Sequence, residues 1–126
     1  MTWFPDGSPY SYMTSGDSRA INVGWLDGTH AFPQAPPTTE LLTALFDKCG
    51  EPANKTRGWH RCELCDAPAP FLVERNGQNL LLGGAEIRVE TPAGPVFAAP
   101  DLIYHYVRDH HYNPPVEFVM GLISDE

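Results

Sequence analysis

At 126 residues the chain has the size of one ordinary domain, and a 42% hydrophobic, 11% aromatic composition is enough for a core, which excludes global disorder. Sixteen carboxylates against eight lysines and arginines give a formal charge of −8, which opposes binding to nucleic acid and to anionic membranes. Residues 1–10 lack a basic stretch followed by an apolar run, and no segment approaches the roughly eighteen apolar residues of a membrane span. The expectation is a cytoplasmic protein with no nucleic-acid or membrane partner, leaving an unidentified protein as the partner class. Three cysteines, two of them in a C-x-x-C, fit a reducing compartment better than a disulfide scaffold.

Residues 1–19 mix Pro, Gly, Ser, Asp and aromatic side chains without a period, which predicts an irregular N-terminal arm. Segment 21–26 reads as a strand, and Asp27-Gly28 suits a tight hairpin turn leading to a second strand at 29–32. Prolines across 33–37 make a rigid linker. Thr38 or Thr39 can cap a helix whose apolar residues Leu41, Leu42, Leu45, Phe46 and Cys49 recur at helical spacing, with Gly50 as its stop. That spacing places Cys49 in the core.

The run Asp66-Ala-Pro-Ala-Pro70 cannot lie inside a helix. Short strands are expected at 71–74, 80–82, 86–90 and 96–98, separated by turns at Asn76-Gly77 and 92–95. Pro100 at a first helical position, with Asp101 beside it at the positive end of the dipole, opens a helix carrying Leu102, Ile103, Tyr106 and Val107 on one face and the histidines elsewhere. Pro114 and Pro115 end it, and 116–123 reads as a last short helix before an acidic tail. The fold class is therefore α+β, with short antiparallel strands and hairpins and about three helices. One domain spans 1–126, comprising the arm (1–19), a hairpin and helix (20–50), a knuckle, strands and histidine helix (54–112), and a C-terminal helix and tail (114–126).

Cys62-Glu-Leu-Cys65 is the sharpest chemical signal, because two intervening residues let both thiolates face one ion across a tight knuckle. A thioredoxin-like reading needs a helix directly after the motif, and the prolines deny it. Two thiolates leave a tetrahedral zinc site half built, and His105 and His110 supply the remaining ligands. Cysteine knuckle, strands, then a helix bearing His-x-x-x-x-His is the order of parts in a Cys2His2 finger, although 39 residues (66–104) separate the pairs instead of the dozen or so of a DNA-reading finger. On a regular helix His110 stands about 140° from His105, and His111 about 120° the other way, so one widened turn before the prolines is needed to bring His110 round. His111 or His60 is the substitute ligand, and His60 otherwise supports the site from outside the ligand set. Asp109, four residues after His105, shares its face and could ligate zinc through oxygen, the less usual choice. Asp27 with His30 is a carboxylate–imidazole pair that turn chemistry alone accounts for. No G-x-S-x-G, phosphate-cradling glycine loop or H-E-x-x-H is present.

The motifs Asn22-Val-Gly-Trp-Leu-Asp27, Arg57-Gly-x-His60-x-Cys62-x-x-Cys65 and Ala98-Ala-Pro-x-Leu-Ile-x-His105-Tyr-Val, with Leu80-Leu-Leu-Gly and Ala85-Glu-Ile-Arg-Val89 between them, resemble those of a family of short uncharacterised bacterial proteins over nearly the whole chain. The resemblance implies a bacterial source and a single-domain protein, and brings no activity with it. The function expected from the residues is a small zinc-binding module, non-catalytic, serving protein interaction or regulation. A metal-dependent hydrolase with an open zinc position is the alternative, and a nucleic-acid-binding finger ranks below both.

Overall fold

The computed structural model describes residues 3–9, 20–55, 59–91 and 96–124. The expected turn at 92–95 and most of the N-terminal arm lie outside them. Among these residues six strands and three helices follow in the order β1 (Ala20–Asn22), α1 (Thr39–Cys49), β2 (Asn54–Lys55), β3 (Phe71–Arg75), β4 (Gln78–Leu82), β5 (Ala85–Glu90), β6 (Val96–Pro100), α2 (Ile103–His110) and α3 (Val116–Ser124). This is an α+β fold with two small sheets. No helix among the described residues is long and apolar enough to cross a membrane.

Helix α1 forms for the reasons its sequence suggests. The Thr38 hydroxyl accepts the Leu41 N–H at 3.1 Å, satisfying a donor that the first turn would otherwise leave orphaned. Leu41, Ala44, Leu45, Phe46 and Cys49 are buried on one face, and the Gly50 N–H closes the last turn on the Phe46 and Asp47 carbonyls. In the four-stranded sheet, ordered β1-β6-β5-β2, β6 pairs antiparallel with β5 and parallel with β1. Helices α1 and α3 pack against β5, and α1 also packs on α2. Strands β3 and β4 form a separate hairpin around Asn76 and Gly77, whose φ angles of 52° and 81° suit a two-residue turn. Alternation puts Val73 and Leu82 inside, while the cross-strand neighbours Leu72 and Leu81 face outward at 63% and 51% exposure.

Two expectations need correcting. The hairpin at 27–28 does not form. The first strand ends at Asn22, because Gly24 takes a φ of 78° that breaks extended geometry, and any Cβ there would lie 2.9 Å from Ile103 Cδ1. Asp27 instead folds its carboxylate back onto the Thr29 and His30 N–H groups at 3.1 and 3.0 Å, a local side-chain turn. The linker then runs beside the end of α2, where Ala35 N–H donates to His111 O and Asn113 N–H to Pro33 O.

The histidine helix also starts later than expected, at Ile103, because Pro100 completes β6 and Asp101 makes a turn. Asp101 does not serve the helix dipole from the surface. It is 3% exposed, and its carboxylate accepts the Gly83 N–H at 2.8 Å. Burial pushes its carboxyl up from 3.8 to about 6, against the pull of the backbone N–H groups around it. An acid raised on folding stabilises the fold most below its unfolded value and loses that contribution as pH rises through its folded value. The shift corresponds to about 3 kcal/mol. Denaturation of wild type and Asp101→Asn across this range should therefore show the variant gaining about that much relative stability between pH ~4 and pH ~7. A pH-independent difference would contradict it.

Candidate metal centre

Cys62 and Cys65 stand on an irregular loop between Trp59 and the hairpin β3–β4, fastened at several points. His60 N–H donates to Gly83 O at 2.7 Å. The approach is so close that a Cβ on Gly83 would lie 2.6 Å from His60 O, and the same glycine has a φ of 109°. On the other side the turn at Gly28 packs against the loop so closely that a Cβ there would lie 2.9 Å from Glu63 O. Within the loop the Leu64 N–H points at Cys62 Sγ, 3.3 Å away, a donor placed to favour a thiolate. No helix follows Cys65, so the dipole that activates a redox C-x-x-C is missing here.

Helix α2 delivers the histidines. Its last turn closes through the His111 N–H onto Tyr106 O, five residues back, and the Tyr112 N–H reaches the same carbonyl at 3.1 Å. This is wider than an α turn, and the His105 and His110 rings lie 4.9 Å apart, nearly perpendicular. Cys62 Sγ is 3.4 Å from His110 Nε2, and Cys65 Sγ is 3.4 Å from His105 Nε2. One ligand atom from each of the four residues lies within 4.8 Å of every other, so the group could hold a metal ion. A tetrahedral ion bound at about 2.3 Å to sulfur and 2.0–2.1 Å to nitrogen sets each S···N edge at about 3.6 Å. The two S···N distances of 3.4 Å in the structure are close to that.

His105 is buried, and its ring packs on Phe71 of β3 with centroids 4.2 Å apart. Its Nδ1 lies 2.6 Å from Asp109 Oδ2. Burial raises the Asp109 carboxyl, but hydrogen bonds from Arg108 and His105 outweigh it and leave the group below its usual range, ionised and able only to accept. Nδ1 therefore carries the proton, and Nε2 presents its lone pair to the cluster. This carboxylate–imidazole arrangement fixes the tautomer and orientation of a metal-binding histidine. Arg108 grips Asp109 through Nε and Nη2 at 3.1 and 2.9 Å while lying over the Tyr104 ring. Burial lowers both His105 and His110, in each case against the pull of Asp109, which favours neutral imidazoles as ligands must be. Burial also pushes the Cys62 thiol up to about 11, so a bound cation has to displace its proton.

The other histidines are elsewhere. His111 is exposed and takes the left-handed cap conformation, φ 57°. His60 does not join the group of four, and serves through its backbone at Gly83. His30 accepts orientation from Asp27, with Nδ1 2.8 Å from Oδ1, and stacks on Trp3 at 3.7 Å, both outside the group. Sequence reasoning placed Asp109 on the face of His105 without giving it the orienting role. The i, i+4 spacing was the available signal. Phe71, which sets the His105 ring plane, had no such signal, because its position depends on how the hairpin docks.

Asp109→Asn should keep the fold and weaken metal binding by about tenfold or more, since an amide can turn its N–H₂ toward Nδ1 and select the wrong tautomer. His111→Ala should leave affinity unchanged. Competition titration with a chromophoric chelator measures both, and equal affinities for Asp109→Asn and wild type would refute the orienting role.

Comparison with known proteins finds no match among curated proteins and none among solved structures. A family model described as a domain of unknown function, DUF7919, matches residues 2–123. Covering almost the entire sequence, that match shows that the chain belongs to the DUF7919 family.

Proposed function

We propose that Cys62, Cys65, His105 and His110 bind one zinc ion, and that the ion is structural, locking the C-x-x-C loop to the end of α2 in a non-catalytic module for protein interaction or regulation. The observation that carries this reading is the pair of 3.4 Å sulfur–nitrogen edges, within a set of four soft and borderline donors. Two thiolates and two imidazoles suit zinc better than calcium or magnesium, which require oxygen. Two thiolates also neutralise the ion's charge, so it can sit near buried Tyr106 without a further counter-ion. Four protein donors fill a tetrahedron and leave no position for a water, which a catalytic zinc needs.

Structural zinc in finger peptides is worth about 10–16 kcal/mol at neutral pH, comparable to the whole stability of a small domain. Ligands at these positions thus have sufficient purpose without a reaction. The outward pair Leu72 and Leu81 on the β3–β4 hairpin gives the module an apolar surface for a protein partner. The charge of −8 argues for a protein rather than nucleic acid, and the three thiols of Cys49, Cys62 and Cys65 for a reducing cytoplasm.

Untagged protein should carry one zinc per chain by native mass spectrometry, and a strong chelator should unfold it. Cys62→Ser and Cys65→Ser should lose the ion. Cys49→Ser should keep it and cost a few kcal/mol at most, because Cys49 is a core residue whose thiol donates to Asp101 O. A folded, metal-free protein indifferent to chelator would overturn the proposal.

A further inference from the structure

A second feature has no part in the metal centre. A cavity of about 460 Å³ opens between the C-terminal end of α1, β2 and the turn joining β4 to β5. That volume lies within the range of small-molecule sites, roughly 300–1,000 Å³. Its apolar wall includes Leu81 and Trp59, each about half exposed, at 51% and 49%. Gly84 lets the indole lie against the backbone, since a Cβ there would be 2.9 Å from Trp59 Cζ3. One broad ring is thus held firmly by its back while remaining open to solvent.

The polar groups are few and of opposite sign. Asp101 lies at the inner wall, and its partners are backbone N–H groups, which lower its pKa but leave it raised by burial. Gly50, at the carbonyl end of α1, adds the negative end of that helix's dipole to the same wall. The inner end therefore favours a cation that can donate hydrogen bonds. Lys55 lies across the strand from it: Lys55 pairs with Ala85, and Ala85 O accepts the Asp101 N–H at 3.0 Å. Asp101 and Lys55 are thus two strand spacings apart, about 10 Å between backbones, and the long lysine side chain can shorten the gap.

We propose that this cavity binds a free apolar α-amino acid, its ammonium toward Asp101, its carboxylate toward Lys55 and its side chain against Trp59 and Leu81. An ammonium supplies the buried carboxylate with the counter-charge that backbone N–H groups cannot. An apolar side chain covers Trp59 and Leu81, and the zwitterion satisfies both ends without net charge. The metal centre plays no part, so this site and the zinc reading stand or fall separately.

The test is titration of the ¹⁵N-labelled, zinc-loaded full chain with L-phenylalanine, phenethylamine and 3-phenylpropionate. Phenylalanine should give saturable shifts centred on Lys55, Trp59, Gly84 and Ala85. Phenethylamine, which lacks the carboxylate, should bind within about tenfold of it, and 3-phenylpropionate, which lacks the ammonium, more than tenfold weaker. Trp59→Ala should weaken phenylalanine at least tenfold with zinc content unchanged. Asp101→Asn should abolish binding of both amines, and Lys55→Gln should weaken phenylalanine while sparing phenethylamine. The proposal is overturned if none of the three ligands gives saturable shifts at tens of millimolar, if 3-phenylpropionate binds as well as phenylalanine, or if the shifts centre elsewhere.

Discussion

Two thiols and two imidazoles meeting at the edge of a core present a problem that protein atoms alone solve poorly. Among the described residues each imidazole has a weak S–H donor at 3.4 Å as its partner at Nε2, in surroundings that lower its basicity. A divalent ion among the four atoms replaces two weak contacts with four strong ones. The segment carrying Cys62 and Cys65 has no regular structure of its own, and a few hydrogen bonds and close backbone approaches hold it to Gly83 and Gly28. Its side chains meet α2 at Cys62–His110 and Cys65–His105, each pair 3.4 Å apart.

The surroundings of the site are built to keep α2 in place for that contact. Arg108 orders Asp109, Asp109 orders His105, and Phe71 of the β3–β4 hairpin sets the ring plane. Tyr112, just beyond the helix, is buried and donates its hydroxyl to Asp6 at 2.7 Å, fastening the N-terminal segment to the same region. Each contact is modest alone. Together they remove the rotational freedom that a histidine would otherwise lose on binding an ion, which is how outer contacts raise metal affinity.

Much of this was legible in the residues where the signal is local. The apolar period of α1 with its Thr38 cap, the Asn76-Gly77 turn and the C-x-x-C spacing are short-range patterns, and the elements they predict appear where expected. The failures have two causes, a competing local hydrogen bond in one case and tertiary demand in the others. Asp27-Gly28 suits a hairpin, yet the Asp27 carboxylate took the Thr29 and His30 N–H groups of its own backbone instead. Asp101 reads as a helix-dipole residue, yet the Gly83 N–H, eighteen residues away, claimed it. The parallel pairing of β1 with β6 joins residues some seventy-six positions apart, as Ala20 with Val96, and no local pattern encodes it.

The central claim is a four-coordinate zinc centre joining one loop to one helix. Zinc K-edge X-ray absorption on the purified protein interrogates it most directly, because it counts sulfur and nitrogen neighbours of the ion itself. The proposed centre requires two sulfurs at about 2.3 Å and two imidazole nitrogens at about 2.0–2.1 Å. A first shell of nitrogen and oxygen alone, or one with three sulfurs, would contradict a centre made of Cys62, Cys65, His105 and His110.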